Sequence, residues 1–154
     1  MRAAALLLTA ALATGACSRG TSQALPPDEA RALLIDRSWV DRLPSKVDDK
    51  LHVFRFTPSM GGGVYQDRTI FAGTFELFGF EQDGRSIRFN LLHTGDRKIC
   101  RFVIEPLKEK GPEGVDLKLT IEGSPRGASV YYSWRKNPAD LDAVLAHAVH
   151  AHEQ

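Results

Sequence analysis

The sequence predicts a mainly β protein, an antiparallel up-and-down β-barrel of about eight strands with a short N-terminal helix and a C-terminal helix. Three observations predict this class: short segments that alternate apolar and polar residues, turn sequences between successive segments, and an amphipathic stretch at each end. A chain of 154 residues suits one domain, and it is long enough to bury a core without disulfides or metals. The predicted barrel domain covers residues 28–154.

The two helices are predicted from charge and apolar spacing. The segment 28–35 begins with Asp28 and Glu29, and acidic side chains are favoured in the first turn of a helix. Near the carboxyl end, Asn137 is the predicted N-cap and Pro138 the first helical residue. Four apolar residues then follow at helical spacing and predict a helix packed on the outside of the sheet: Leu141, Val144, Leu145 and Ala148.

The strands are predicted between Trp39 and Trp134. Residues 115–121 alternate most cleanly, with apolar side chains on one face and polar side chains on the other. The pair Asp83-Gly84 predicts a type I′ hairpin turn. About seven or eight such strands point to a barrel or a sandwich, and short links between sequential strands favour the closed barrel, in which each strand pairs with the next. The other predicted strands cover 52–56, 69–80, 85–91, 98–105 and 128–134.

The inward faces of these strands gather aromatic side chains. In an eight-stranded barrel such side chains either fill the interior or line a cavity for one small apolar ligand, and the sequence leaves both possibilities open. The glycine-rich segment 60–63 is predicted to be a tight or mobile loop at the barrel mouth. The residues predicted to bind the ligand are Phe54, Phe56, Phe71, Phe75, Phe89, Leu91, Phe102 and Tyr132.

The arrangement resembles the lipocalin-like, or calycin, proteins. The resemblance rests on the entry helix, Trp39 at the start of the first strand, successive hairpins, and a helix after the last strand. Lipocalins usually carry Gly two residues before this Trp, whereas this chain has Arg37. Their family often stacks an arginine from a late strand against the Trp. The resemblance therefore implies structural roles for Trp39 and for Arg135.

The first sixteen residues predict a secretory signal peptide. They contain one positive charge, an apolar run at 3–13 and small residues before Cys17. The run is too short to span a bilayer, which needs about 20 residues. Small residues before a Cys resemble the lipobox of bacterial lipoproteins, although Thr14 stands where Leu is typical. The resemblance implies cleavage before Cys17 and lipidation of its thiol; a secretory signal with an incidental cysteine is the alternative.

The lipobox resemblance implies a place in the bacterial cell envelope, with a lipid anchor as the contact to the membrane. Ser18 stands where Asp would suggest inner-membrane retention, so an outer-membrane location facing the periplasm is expected by analogy. Residues 17–27 have the composition of a flexible tether. Without Arg2 the mature chain has 19 basic and 19 acidic residues, so its charge gives no reason to expect nucleic acid as a partner.

Isolated reactive side chains have structural interpretations. Cys100 lies in an alternating segment and is predicted to be a buried small hydrophobe rather than a nucleophile. With Cys17 lipidated, no disulfide is expected within the domain. His147, His150 and His152 lie near the carboxyl end, and the first two are one helical turn apart and close enough to share a metal. Solvated histidines on a frayed terminal helix are the favoured interpretation. No metal and no cofactor are predicted.

No pattern in the sequence predicts catalysis, since neither a Ser-His-Asp set nor a His-Glu-x-x-His run stands out. The leading hypothesis is a non-enzymatic barrel that binds a small hydrophobic or lipid molecule at the envelope. The alternative is an interaction protein with a filled core that contacts another envelope component. A third hypothesis is a hydrolase or isomerase that uses a histidine at the mouth, such as His93. The first two hypotheses differ in whether the barrel interior is empty.

Overall fold

The computed structural model describes residues 23–153, and it shows a closed barrel of eight antiparallel strands with one helix before it and one after it. The predicted fold class is confirmed. No helix within residues 23–153 has the length and apolar character needed to cross a membrane. The predicted signal peptide and Cys17 lie outside the described residues. The elements are α1 (Pro27–Leu34), β1 (Ser38–Val40), β2 (Leu51–Thr57), β3 (Gly62–Arg68), β4 (Gly73–Asp83), β5 (Ser86–Leu91), β6 (Arg97–Pro106), β7 (Leu117–Ile121), β8 (Val130–Ser133) and α2 (Leu141–His152).

Each strand pairs with the next one in the sequence, and β1 pairs with β8 to close the barrel. Closure removes the free edges that an open sheet would expose. The closing contact is short, because Val40 opposite Tyr132 is its one residue pair. Alternate residues of each strand then face the interior, where they form the main hydrophobic core.

Helix α1 closes one end of the barrel. Its residues Ala30 and Leu34 are buried in the same cluster as the strand residues of the interior. Just before the helix, the backbone N–H of Leu25 donates to the carbonyl of Ile104 at 2.9 Å. The indole Nε1 of the fully buried Trp39 donates to the carbonyl of Leu34 at 3.0 Å. The last residue of α1 and the first strand are therefore joined directly.

Helix α2 packs on the outer wall of the barrel, as its apolar spacing predicts. Leu145 is buried there in a second cluster, with outward residues of β1 and β2. The predicted N-cap was wrong, because the helix begins at Leu141 and its N-cap is Asp140, whose carboxylate accepts from the N–H of Ala143 at 3.1 Å. The side-chain oxygen of Asn137 accepts instead from the N–H of Ser38 at 3.4 Å. An Asp cap adds a negative charge at the positive end of the helix.

The glycine-rich segment 60–63 is only in part the loop that the sequence predicts, because Met60 and Gly61 lie in the β2–β3 connection, where Gly61 has a φ of 76°. Gly62 and Gly63 are the first residues of β3 and pair with the end of β2. A Cβ at Gly63 would collide with the ring of Phe78 and would lie 2.7 Å from the carbonyl oxygen of Arg55. Glycine inside a strand often marks such a close approach. Gly62 and Gly63 therefore belong to β3 and allow close packing there.

The segment 69–80 is divided between a turn and a strand. Residues 69–72 form the β3–β4 turn, in which the N–H of Thr69 donates to the carbonyl of Ala72 at 2.8 Å. Strand β4 then runs to Asp83, well beyond the predicted end. In the turn that follows, Gly84 has a φ of 53° and Arg85 does not have a positive φ. A type I′ turn needs two positive φ angles, so that prediction was wrong.

Candidate functional site

Aromatic side chains occupy the centre of the barrel. The ring centroid of Phe54 lies 5.0 Å from that of Tyr65 and 5.2 Å from that of Tyr131. The ring of Phe78 lies edge-on to it at 5.6 Å, and all four side chains are buried. These separations are those of direct tilted and edge-to-face contacts. The protein's own side chains therefore fill the region in which the sequence left room for a ligand.

Five of the eight residues predicted to bind a ligand face this interior. They are buried members of the main core cluster, where their rings and aliphatic groups pack against one another. Their inward direction agrees with the alternation of the sequence, and their role in ligand binding stays a prediction. The five are Phe54, Phe56, Phe89, Leu91 and Phe102.

The other three residues do not face the interior, which corrects the sequence interpretation. Phe71 is 80% exposed in the β3–β4 turn, and Phe75 is 70% exposed on the outer face of β4. Tyr132 packs against the cluster under α2 on the outer wall. Successive residues of a strand point to opposite faces. Phe78 and Phe80 supply the inward aromatic rings of β4, and Phe75 lies an odd number of residues from Phe78, so it points outward.

Trp39 is buried as predicted, but Arg135 makes a different contact from the predicted stacking. The Arg135 side chain is 48% exposed, and its Nη1 lies 3.2 Å from a carboxylate oxygen of Glu29 on α1. The buried arginine is Arg37, whose Nη1 donates to the carbonyl of Trp134 at 2.6 Å. Burial lowers the pKa of the Arg37 guanidinium from its usual value. Arg37 therefore links the entry to β1 with the end of β8.

Polar side chains meet at the barrel mouth, the end opposite α1. The hydroxyl oxygen of Tyr65 lies 2.6 Å from Nδ1 of His52. From the β7–β8 loop, Arg126 donates to the two carboxylate oxygens of Glu76 at 2.8 and 3.2 Å. The hydroxyl of Tyr131 donates to the carbonyl of Arg126 at 3.2 Å. These bonds tie the β7–β8 loop to the inward side chains and cover the aromatic core.

The two phenols of the mouth cluster have raised pKa values. Burial raises the pKa of the Tyr65 hydroxyl to about 12, and burial also raises that of Tyr131. Both phenols therefore stay neutral at physiological pH. A lowered pKa, which would favour the phenolate, is found at neither hydroxyl, and Nδ1 of His52 is the basic group beside Tyr65. Sequence reasoning missed the cluster because Arg126 comes from a turn, where no periodic pattern shows where its side chain points.

The isolated reactive residues have ordinary structural contacts. Cys100 is buried, its thiol donates to the carbonyl of Gly123 at 3.3 Å, and burial raises the pKa of this thiol. Its predicted place in the core agrees with the structure. On α2, Nδ1 of His147 lies 2.9 Å from a carboxylate oxygen of Glu113. Residues 23–153 contain no group of three or more side chains placed to hold a metal ion. His93 is exposed in the β5–β6 turn.

Strand β4 has an unpaired edge near the mouth. It pairs with β3 from Gly73 onward, whereas its pairing with β5 begins at Phe78. The segment Gly73–Leu77 therefore has a strand neighbour on one side only, over a length of about 16 Å. Within residues 23–153, no turn or loop hydrogen bond uses the backbone of this segment. Its open side presents backbone groups that a further strand could pair with.

Large apolar side chains surround this edge. Phe71 and Phe75 are joined by Leu77, which is 50% exposed, and by Leu92, which is 60% exposed. The one charged residue of the segment, Glu76, is already bonded to Arg126. We call Gly73–Leu77 with Phe71 and Leu92 the β4 edge surface. A depression of about 570 Å³ lies along it, lined by Tyr65, Thr74, Phe75, Glu76, Leu77, Leu92 and His93.

No family model, curated protein or solved structure matches the chain. Of the lipocalin-like resemblance, the structure shows the closed eight-stranded antiparallel barrel with its two flanking helices.

A second depression, the α2 groove, lies outside the barrel. It has a volume of about 420 Å³ and is open to solvent along one side. Tyr132, which was predicted to face a cavity inside the barrel, lies on the wall of this outer groove. Most of its lining is apolar, and its walls come from β1, β8, the β6–β7 connection and the carboxyl half of α2. The apolar residues that define it are Val40, Leu43, Leu107, Val115, Tyr132, Ala148 and Ala151.

Proposed function

We propose that this chain is a lipid-anchored envelope protein that docks an extended segment of another envelope protein along the β4 edge surface. The observation that carries the proposal is an unpaired strand edge, Gly73–Leu77, bordered by exposed apolar side chains. The proposed role is non-enzymatic, and the partner segment adds a strand beside β4. Added strands are a common way for proteins to recognise peptides.

The packed interior supports an interaction protein over a carrier with its ligand inside the barrel. Those two hypotheses differ in whether the interior is empty, and the rings of Phe54, Tyr65 and Tyr131 occupy it. In a filled barrel, specificity has to come from the outer surface. The β4 edge surface offers backbone hydrogen bonds for affinity and side chains of alternating direction for selectivity.

The composition of the edge supports a partner there. Strand edges are normally protected by lysine, proline, bulges or covering loops. The segment Gly73–Leu77 contains neither lysine nor proline, and its outward residues Phe75 and Leu77 are apolar. Because Glu76 is neutralised by Arg126, the surface offers no free charge in this segment, and the matching segment of the partner is uncharged and apolar on its outer face.

The envelope location rests on the amino-terminal sequence, and a substitution tests it. We expect Cys17→Ser to move the protein from the membrane fraction to the soluble fraction and to abolish incorporation of labelled fatty acid. One acyl chain gives only marginal anchoring, so the two or three chains of a bacterial lipoprotein are what would hold the domain at the membrane. Cys100→Ala is the matched control and keeps the label. Labelling that persists in Cys17→Ser would contradict the anchor.

Docking is tested by photo-crosslinking in the intact envelope. A photoreactive phenylalanine analogue replaces Phe75 in the full chain, and we expect one discrete product with a second envelope protein. Adding Leu77→Lys should reduce this product about tenfold or more, because a lysine beside a strand edge opposes pairing, and tenfold corresponds to about 1.4 kcal/mol. The Leu77 side chain is half exposed, so the fold should tolerate the change within about 0.5 kcal/mol.

The control position for this experiment is Met60, which is exposed in the β2–β3 connection at the opposite end of β3. The same analogue there should not give the product. Amide hydrogen exchange supplies the backbone readout, since residues 74–77 should exchange faster than the paired residues 79–82 and become protected in the complex. Equal crosslinking at both positions would overturn the proposal, as would a product that contains two copies of this chain.

A further inference from the structure

We propose that the α2 groove binds the hydrocarbon chain of a free fatty acid, with the carboxylate of the ligand at the groove rim. The site lies outside the barrel and does not depend on the β4 edge surface. It places a lipid-binding function on the outer wall, between Tyr132 and the carboxyl half of α2.

The groove exists because α2 presents small side chains at this point. Leu145 and Val149 are buried and hold the helix on the protein. Ala148, which is also buried, and Ala151, which is exposed, are the residues of the same helix that line the groove, and a methyl group fills little of the space in front of it. The opposite wall is formed by Val40 and other apolar residues. A volume of about 420 Å³ falls within the range of small-molecule sites.

The charges at the rim favour an acidic head group. The carboxylate of Asp41 already has two partners within the protein: it accepts from the backbone N–H of His52 at 2.7 Å and lies 3.3 Å from Nε of Arg42. The Arg42 side chain is 62% exposed, so most of its guanidinium remains available to a ligand. It gives the rim a solvent-facing cation, which a bound carboxylate would pair with.

The other polar groups at the rim of the groove are Glu113 and His152. The carboxylate of Glu113 lies 2.9 Å from Nδ1 of His147, and its backbone carbonyl accepts from Nε1 of Trp134 at 2.8 Å. The second basic residue of the rim is His152, whose imidazole has no hydrogen-bond partner among residues 23–153. Asp41 and Arg42 form one ion pair, and Glu113 is paired with His147. Within residues 23–153, the other guanidinium nitrogens of Arg42 and the imidazole of His152 are the basic groups of the rim without a partner. A fatty acid has the matching shape and charge.

Competition photolabelling of the full chain in isolated bacterial envelopes tests the proposal. The probe is a palmitic acid analogue with a diazirine in its chain, and the labelled peptide is read by mass spectrometry. We expect label on the peptides that contain Tyr132 or Val115, and competition by unlabelled fatty acids that strengthens about three- to fourfold for each added methylene until the groove is full. The methyl ester should compete at least tenfold more weakly, because it lacks the charge that pairs with Arg42.

The decisive variant is Ala151→Trp, which puts an indole into the groove at an exposed position on α2. We expect it to lower labelling at least tenfold. Ala143→Trp is the matched control, since Ala143 is also exposed on α2 and lies outside the groove; it should keep the label. Circular dichroism checks that both variants keep the barrel. Equal labelling of the two variants, equal competition by acid and ester, or label confined to other peptides would overturn the proposal.

Discussion

We expect Phe54→Ala to lower the free energy of unfolding by about 3–5 kcal/mol. Phe54 is 1% exposed at the centre of the barrel, and the closed hydrogen-bonded wall limits how far the structure can collapse into the cavity left behind. Urea denaturation followed by circular dichroism measures the loss. Its ring centroid lies within 6.0 Å of those of Phe56, Tyr65, Phe78, Phe89 and Tyr131.

Phe75→Ala is the matched control, because the same chemical group is removed from a side chain that is 70% exposed. Its free energy of unfolding should stay within about 0.5 kcal/mol of the wild-type value. Similar losses in the two variants would contradict the filled interior. In that case the interior would be a loosely packed cavity, and the hypothesis of an internal ligand would regain its basis.

The comparison of Phe54 with Phe75 also shows where sequence reasoning failed. In β2, the run Phe54-Arg55-Phe56 alternates aromatic with polar residues, so the inward direction of both Phe side chains follows from the sequence. In β4, apolar side chains occupy both parities, since Phe75 and Leu77 point outward while the ring of Phe78 lies inside. When a strand is apolar on both faces, the sequence does not indicate which face is buried. The outer face of β4 is part of the surface that we propose for docking.

Inward polar residues add to this ambiguity. Glu76 has the same parity as the buried Phe78, and its charge is satisfied by Arg126 from a distant turn. A pattern-based analysis places a carboxylate on the outer face, because burying an unpaired charge is costly. The ion pair removes that penalty, but only the folded chain brings the two residues together. The tertiary contact therefore overrides the pattern at this point.

Both candidate surfaces arise from mismatches in length, which sequence patterns do not reveal. Strand β4 extends five residues beyond the start of its pairing with β5, and this excess leaves the edge Gly73–Leu77 open. On the outer wall, α2 ends beside the β6–β7 connection, and Ala148 and Ala151 leave the space of the groove. Seven of the eight strands and both helices follow from local patterns, whereas β3 (Gly62–Arg68) was not among the predicted strands. The open edge of β4 and the α2 groove depend on how the helices and strands pack against one another.

We expect Trp39→Ala to destabilise the protein by about 3–5 kcal/mol as well, but for two separable reasons. The indole is fully buried in the main core, so its removal leaves a large cavity. Its Nε1 also donates to the carbonyl of Leu34, which is the last residue of α1. The alanine variant therefore loses both packing at the barrel end and the bond that fixes the entry helix. Urea denaturation monitored by circular dichroism measures the sum.

Trp39→Phe separates these two contributions. Phenylalanine keeps an aromatic ring in the core but has no donor, so the buried carbonyl of Leu34 loses its partner at a cost of about 1–3 kcal/mol. We expect this variant to accelerate amide exchange in residues 30–34 more than in the paired strands β2 and β3. Equal acceleration in α1 and the strands would mean that the bond does not hold the helix. An unchanged urea midpoint for Trp39→Ala would mean that Trp39 is not a core residue, and the barrel end would need another explanation.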